Sequence, residues 1–279
     1  MNTLNTIEVF DRQSFIQFLD LLQRDLINNK DEWENDSLPR FLEALQAYAT
    51  DIQGYYDNTN QNVDANIASW KFFADIFRGA KNKVEVLACD TERAKDALLK
   101  AQVTTRSPMG AIVYSTGGIL VDDGWIRILG SGSTRLPRSL PEWNKGKSSD
   151  VSGQPPAFYL VADDAIGGFF AINGGGFGTD PGKIYYLSPD NLEWEPMEKT
   201  YSEFLLFCFS GDLEKFYAGY RWKDWRKDVA FIQGDKTFNF FPPLCTKEGK
   251  DINMSSRKAI PVEEQYHLNL DMQKQLGIK

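Results

Sequence analysis

The sequence has little of the side-chain chemistry that enzymes and metalloproteins most often use. Histidine occurs once among 279 residues, as His267, so a Ser-His-Asp or Cys-His catalytic site would have to use that residue. A histidine-rich metal site is excluded. Because His267 falls on the polar face of a predicted C-terminal helix, we interpret it as a solvated residue. We expect no cofactor, no metal site and no catalytic residue.

Cysteine and long apolar runs are also scarce. Cys89, Cys208 and Cys245 are far apart and odd in number, which argues against a disulfide framework or a CxxC metal site and indicates a reducing compartment. No stretch approaches the about 18 uninterrupted apolar residues of a membrane span, and the N-terminus lacks the basic start and apolar run of a signal peptide. We therefore expect a soluble cytoplasmic protein.

The chain has no excess of positive charge. Its 31 Lys and Arg residues stand against 39 Asp and Glu residues, a net charge of −8 with a pI near 4.9. Nucleic acid is not expected as a partner, because its phosphates require a basic surface. The densest basic cluster, "RWKDWRK" at 221–227, is diluted by Asp224 and Asp228. An acidic surface instead favours association with a basic protein.

The residues that are present divide the chain into two parts. Residues 1–82 contain 7 Lys or Arg and 13 Asp or Glu, a net charge of −6. Apolar residues from Phe15 to Leu26 follow helical periodicity after a capping Asp11, and two more such stripes occupy 41–52 and 70–80. The sequence predicts a small acidic three-helix domain over 1–82.

Residues 83–279 predict an α+β domain, a mostly antiparallel sheet with helices packed to one side. Helices are expected after Asp90, at the Thr200-x-x-Glu203 capping box, over 221–233 and over 261–277. Residues 109–130 contain three candidate strands, joined at the glycine-containing turns 116–118 and 122–124. Further strands are expected at 157–163, 167–173, 183–188 and 192–197, and a last one begins at residue 236. A long loop spans 131–156.

A glycine-rich stretch, "FFAINGGGFGTDPGK" at 169–183, raises the question of a phosphate-binding loop. A Walker motif fails, because Ile184 follows Gly182-Lys183 where Ser or Thr is needed, Phe177 holds the first glycine position, and a strand follows. The dinucleotide-binding fingerprint fails in spacing. We interpret Gly174, Gly175 and Gly176 as a wide turn between strands. The alternative is a flexible binding loop, since glycine lets a partner's backbone approach closely.

Two acidic pairs, at 122–123 and 163–164, lie beside turns, where Asp is favoured for structural reasons. Adjacent residues on a strand point to opposite faces, so adjacency is no sign of paired catalytic carboxylates. The alternative is a pocket for a small ligand or substrate, lined by the 131–156 loop, Asp163, Asp164 and the turn Asn173-Gly174-Gly175-Gly176.

Aromatic residues are dense between 194 and 225, where ten occur. Such residues usually fill a core, but a surplus would suit an interface, where Trp and Arg are enriched. Arg221, Trp222 and Trp225 are the best candidates for such contacts.

The second part resembles a bacterial family known only as domain of unknown function 2625. The resemblance rests on "MGAIVYSTGGILVDDGWIRILGSGS", "FYLVADDAIGGFFAINGGGFG", "IYYLSPDNLEWEPMEKTYSEFLLFCFSGDLEKFYAGYRWKDW" and "FNFFPPL", and runs from about residue 90 to the C-terminus. The N-terminal part is similar to a separate uncharacterised helical domain of bacterial proteins. The stretches "IGGFFAINGG" and "TYSEFLLFCF" resemble, more distantly, the SUKH superfamily, many members of which are immunity proteins against bacterial toxins.

Together these observations predict a non-enzymatic bacterial protein-binding module, of an immunity or toxin-neutralising kind, whose partner is another protein. The alternative is an enzyme or small-ligand binder with its pocket near the 163–178 turn. A third interpretation makes the glycines and aromatics wholly structural.

Overall fold

The computed structural model describes residues 7–29, 33, 41, 45, 52–54, 56, 82–105, 107–147 and 156–278. By contacts, the chain divides into two compact units. Unit one comprises Met1–Val84 and Leu205–Asp212, and unit two comprises Glu85–Phe204 and Leu213–Lys279. The sequence placed a single boundary at 82/83.

Unit one contains helix α1 (Arg12–Asn28), which begins as the sequence predicts. The Asp11 carboxylate accepts a hydrogen bond from the Ser14 N–H at 2.8 Å, which satisfies a backbone donor that the first turn leaves open. Phe18 and Leu22 are buried against Val9 and Trp33. The second predicted helix is described only at isolated positions, including the helical residues 41, 45 and 52–54, and the third lies outside the described residues.

Unit two is built on a seven-stranded sheet whose strands lie side by side in sequence order. Strands β2 to β7 pair antiparallel with their neighbours. The strands are β1 (Val84–Leu87), β2 (Gly118–Val121), β3 (Ile126–Leu129), β4 (Phe158–Asp164), β5 (Phe169–Asn173), β6 (Lys183–Leu187) and β7 (Trp194–Thr200). A separate antiparallel ribbon joins β8 (Lys236–Phe241) to β9 (Ser256–Pro261).

Seven α-helices after α1 have both of their ends in the described residues. They are α2 (Thr91–Ala101), α3 (Pro108–Ser115), α4 (Leu140–Asn144), α5 (Tyr201–Ser210), α6 (Leu213–Phe216), α7 (Trp225–Phe231) and α8 (Val262–Leu276). None of the helices in the described part of the chain has both the length and the hydrophobicity of a membrane-spanning segment.

Helices contact both faces of the sheet. Consecutive strand residues point to opposite faces. Phe169 packs against Trp143 of α4 and Tyr266 of α8. Phe170 packs against Phe204 of α5 and against Tyr186 of the neighbouring strand β6. The α+β class is therefore confirmed, with helices on two faces rather than one.

The capping residues seen in the sequence act as predicted. Glu203 of α5 accepts a hydrogen bond from the Thr200 N–H at 2.7 Å, and Thr200 Oγ1 accepts one from the Glu203 N–H at 3.4 Å. Asp90 accepts a bond from the Arg93 N–H at 2.8 Å at the start of α2. Gly277 ends α8 in the left-handed conformation, with φ 68°.

Three local predictions are wrong, and a fourth is too long. The loop expected over 131–156 contains helix α4, which begins with a capping box of Ser139 and Glu142. The first of the three strands expected at 109–130 is helix α3, because Ser107 caps it and Pro108 occupies its first turn, where a missing N–H costs nothing. Strand β8 is not the last strand, since β9 follows it. The helix expected over 221–233 is confined to Trp225–Phe231, preceded by Asp224 in the left-handed conformation.

Strand β7 forms one end of the sheet. It carries Pro196, which has no N–H to donate, and Glu198, whose φ is +56°. The register with β6 shifts between Lys183 and Tyr185. The outer strand is therefore irregular, and it is also charged through Glu195, Glu198 and Lys199.

Candidate functional site

Asp163 belongs to a buried ion cluster rather than to an open pocket. It lies at the end of β4 with no exposed surface. Its carboxylate is 2.5 Å from Arg127 Nη2 and 2.7 Å from Arg138 Nη1. Arg127 stands directly opposite Asp163 on β3, and its side chain is also 2% exposed. Two cations thus share one carboxylate in the interior.

Asp164 organises the turn between β4 and β5. One carboxylate oxygen accepts hydrogen bonds from the N–H groups of Ile166 (3.1 Å) and Gly168 (2.8 Å). The other accepts bonds from the hydroxyls of Tyr186 (2.7 Å) and Tyr217 (3.2 Å). Burial raises the pKa of Asp164, and the hydrogen bonds to Tyr186 and to the turn oppose that shift. Its role is to hold the turn and the two tyrosines together.

Asn173 lies at the opposite end of the strand pair from these two aspartates. It is paired with Phe158, whereas Asp163 is paired with Phe169. Phe158 and Asp163 are five positions apart along β4, which is roughly 15 Å at the rise of a strand. Asn173 is itself 1% exposed. The pocket predicted from Asp163, Asp164 and the 173–176 turn is therefore not formed, because the antiparallel register separates its walls.

Asn173 instead holds the glycine-rich turn in a defined shape. Its side-chain oxygen accepts hydrogen bonds from the N–H groups of Gly175 (2.7 Å) and Phe177 (3.1 Å). Its amide donates to the Gly178 carbonyl and to Asp180, both at 3.1 Å. The turn is thus ordered by local bonds, and the strands it joins, β5 and β6, are those that the sequence predicts.

At three positions of the turn, steric constraints explain why the residue is glycine. The N–H groups of Gly174 and Gly176 both donate to the Ala157 carbonyl at 2.8 Å, so a Cβ at Gly174 would lie 2.1 Å from the Pro156 carbonyl oxygen and one at Gly176 would lie 2.8 Å from that of Ala157. Gly175 has φ +110°, a conformation that L residues rarely adopt. Close approach of the turn to the start of β4 therefore requires glycine.

Replacing Gly174 with alanine is expected to lower the free energy of unfolding by about 1–3 kcal/mol, because the new methyl group collides with backbone. Urea denaturation followed by circular dichroism measures the change. Thr179→Ala, an exposed position in the same turn, is the control and should stay within about 0.5 kcal/mol of wild type. Equal stability of the two variants would contradict the steric explanation.

The turn brings Phe177 back onto the sheet, where it completes a cluster of rings. The ring of Phe177 lies 4.3 Å from Trp194, 5.0 Å from Phe158 and 5.3 Å from Tyr185, centroid to centroid. Phe158, Phe177 and Trp194 are half-buried, and Tyr185 is 6% exposed. We call these four residues the aromatic face.

An ionised carboxylate borders the aromatic face. Asp180 Oδ1 accepts a hydrogen bond from the Tyr185 hydroxyl at 2.7 Å. This bond lowers the pKa of Asp180, and it raises the pKa of Tyr185. At neutral pH the pair is therefore a carboxylate and a neutral phenol. Because Phe158, Phe177 and Trp194 are only half-buried, the aromatic face is partly open to solvent.

The side chains of Arg221, Trp222 and Trp225 are buried in unit two. Trp222 is 2% exposed and Trp225 is 7% exposed. Both pack on Trp125, with ring centroids 5.6 and 4.8 Å apart. The Trp222 indole N–H donates to Asp228 at 2.7 Å. An interface contact would need exposed rings, so this geometry corresponds to the core interpretation of these tryptophans.

The Arg221 guanidinium fills the space between these rings and a strained turn. It lies 4.2 Å from the ring centroid of Trp225 and 5.0 Å from that of Trp125, and it forms an ion pair with Asp122. Asp122 and Asp123 have φ +55° and +58°, a conformation unfavourable for residues with a Cβ. Arg221 therefore stabilises the β2–β3 turn, which explains why the 122–123 pair is structural.

Sequence reasoning missed Phe158, Phe177 and Tyr185, and it counted Trp194 only among the ten aromatic residues of 194–225. Phe177 interrupts a run of glycines. A large apolar side chain is unusual in a solvent-facing turn, and this is the sequence signal that could have identified Phe177. His267 is exposed and lies 3.2 Å from Glu263, in agreement with its interpretation as a solvated residue.

The sequence matches two family descriptions. Residues 59–265 match "Protein of unknown function DUF2625", and residues 11–82 match "Family of unknown function (DUF7660)". No solved structure matches the chain. The SUKH likeness stays a prediction that these matches do not test.

Two bacterial relatives are similar over most of their length. An "Uncharacterized protein" of Haemophilus influenzae is 44% identical over 202 residues, which cover 72% of this chain and 89% of the relative. The "Putative uncharacterized protein YbfG" of Escherichia coli K12 is 40% identical over 214 residues, which cover 76% of this chain and 95% of the relative. This chain therefore belongs to the family described as Protein of unknown function DUF2625.

Proposed function

We propose that the chain is a non-enzymatic protein-binding module and that the aromatic face contacts its partner. The observation that carries the proposal is the continuous stacking of Phe158, Phe177 and Trp194, three rings that remain half-buried although they touch one another. Large aromatic side chains left partly open at a rigid surface are the residues that contribute most to protein interfaces.

The scaffold beneath the aromatic face suits binding without rearrangement. Three of its residues lie on paired strands, with Phe158 on β4, Tyr185 on β6 and Trp194 on β7. Phe177 is fixed by the bonds of Asn173 to the turn. A preordered surface loses less conformational entropy when a partner binds, which favours binding at this face.

The charge of the chain favours a basic partner. The net charge is −8, and ionised Asp180 borders the rings. An arginine of the partner could stack on the Trp194 ring while it pairs with a carboxylate. A toxin-neutralising role of the SUKH kind is the finer form of the proposal, since negative charge would accelerate association with a basic toxin.

Trp194→Ala is expected to abolish partner capture while the protein remains folded. The variant removes the largest ring of the face, and hot-spot truncations cost about 2 kcal/mol or more, a loss of at least about thirtyfold in affinity. The measurement is a pull-down from lysate of the source bacterium with immobilised wild type and variant, after circular dichroism has established that both are folded.

Phe231→Ala is the matched control, because Phe231 is 81% exposed elsewhere in unit two. A basic protein captured by wild type and by the control, and lost with Trp194→Ala, supports the proposal. Capture that is unaffected by Trp194→Ala, or no specific capture by wild type, contradicts it.

A further inference from the structure

Unit two also contains a cleft whose lining includes none of the four residues of the aromatic face. The cleft has a volume of about 230 Å³ and is formed by three segments distant in sequence. Asp190 comes from the turn between β6 and β7, Tyr220 from the connection between α6 and α7, and Lys250 from the loop between β8 and β9. A volume of this size accommodates a metabolite of about ten non-hydrogen atoms.

The carboxylate side of the cleft is preorganised. Asp190 accepts a hydrogen bond from the Ser188 hydroxyl at 2.5 Å, and the Tyr220 hydroxyl also bonds to Asp190. Burial and then this bond raise the pKa of Tyr220 well above its usual range, so Tyr220 stays a donor at neutral pH. The carboxylate is thus held in one orientation and keeps lone pairs for a further donor.

The remaining lining includes a positive charge and two aliphatic side chains. Lys250 lines the cleft, and it has no hydrogen-bond or ion-pair partner among the described residues. Leu244 and Ile252 also line it and are 5% and 2% exposed. Gly219 leaves open space at its Cβ position, with no atom within 4 Å. One anion, one free cation and two buried aliphatic side chains therefore surround the same space.

We propose that this cleft binds a small free α-amino acid with an aliphatic side chain. The ligand's ammonium group would pair with Asp190, its carboxylate with Lys250, and its side chain would lie on Leu244 and Ile252. Each wall thus meets the part of the ligand that matches it, and a ligand lacking either charge would leave one group of the cleft without its partner. The proposal does not depend on protein binding at the aromatic face.

The test is isothermal titration of the full chain with three probes of similar size. L-leucine carries both charges, isoamylamine lacks the carboxylate and isocaproate lacks the ammonium group. We expect saturable binding of L-leucine, and at least about tenfold weaker binding of each single-charge probe, because each probe leaves one charged group of the cleft without its partner.

Two variants give a crossed pattern that damage to the fold does not produce. Asp190→Asn should weaken L-leucine and isoamylamine binding at least about tenfold and leave isocaproate unchanged. Lys250→Gln, at an exposed side chain, should weaken L-leucine and isocaproate and leave isoamylamine unchanged. Glu198→Gln, on β7, is the control and should leave all three unchanged. The absence of saturable L-leucine binding by wild type, or variants that shift all probes equally or none, would overturn the proposal.

Discussion

Asp163→Asn is expected to lower the free energy of unfolding by about 3–5 kcal/mol, the usual cost of removing one partner from a buried ion pair. The substitution nearly keeps the shape of the side chain, removes its charge and replaces one acceptor oxygen with an NH2 donor. Arg127 would then remain in the interior at 2% exposure without the carboxylate that compensates it, and Arg138 would lose the same partner.

Urea denaturation of wild type and variant, followed by far-ultraviolet circular dichroism, measures this loss. Glu193→Gln removes a charge from an exposed side chain and should change stability by less than about 0.5 kcal/mol. A loss below about 1 kcal/mol for Asp163→Asn would mean that the interior around Arg127 is far better solvated than the ion pairs with Asp163 and Arg138 indicate.

Trp222→Ala and Trp225→Ala are each expected to cost about 3–5 kcal/mol in unfolding free energy, since each leaves a large cavity in a packed region. The Trp222→Ala substitution would also remove the indole N–H that donates a hydrogen bond to Asp228. Because both rings pack on Trp125, the effects of the two substitutions will not add in the double variant.

Trp194→Ala is the informative comparison, because the same chemical change is made at a half-buried ring. Trp194→Ala should lower the free energy of unfolding clearly less than Trp222→Ala or Trp225→Ala does. Urea denaturation of the three single variants measures these differences in stability. If Trp222→Ala and Trp225→Ala were as stable as Trp194→Ala, the packing of unit two around Trp125 would be contradicted.

Much of the sheet could be predicted from the sequence, because strands and turns are local. Strands β4, β5 and β6 each carry a short apolar or aromatic run, and the turn at 189–191, which precedes β7, has its usual residues. Helix α3 was missed because its apolar residues equally fit a strand. The decisive signal was the pair Ser107-Pro108, a cap and a first-turn proline, which outweighs β-branched composition.

The sites could not be predicted in the same way, because they depend on register. Phe158 and Trp194 meet only through the pairing of β4, β5, β6 and β7, and two of those pairs contain irregular steps. The same register places Asn173 and Asp163 at opposite ends of β4. The cleft at Asp190 unites three segments more than 20 residues apart, for which no local pattern exists.

The irregular outer strand β7 limits how the sheet can meet another molecule. A regular, uncharged edge would offer a row of backbone donors and acceptors to any extended chain, and so invite fibril growth or exchange of strands between copies. Pro196 has no backbone N–H to donate, and Glu198, in the left-handed conformation, interrupts the extended backbone of the strand. Unit two should therefore stay dispersed at high concentration even though Trp194 begins that same strand, and a partner that meets the sheet here will recognise its side chains rather than its backbone.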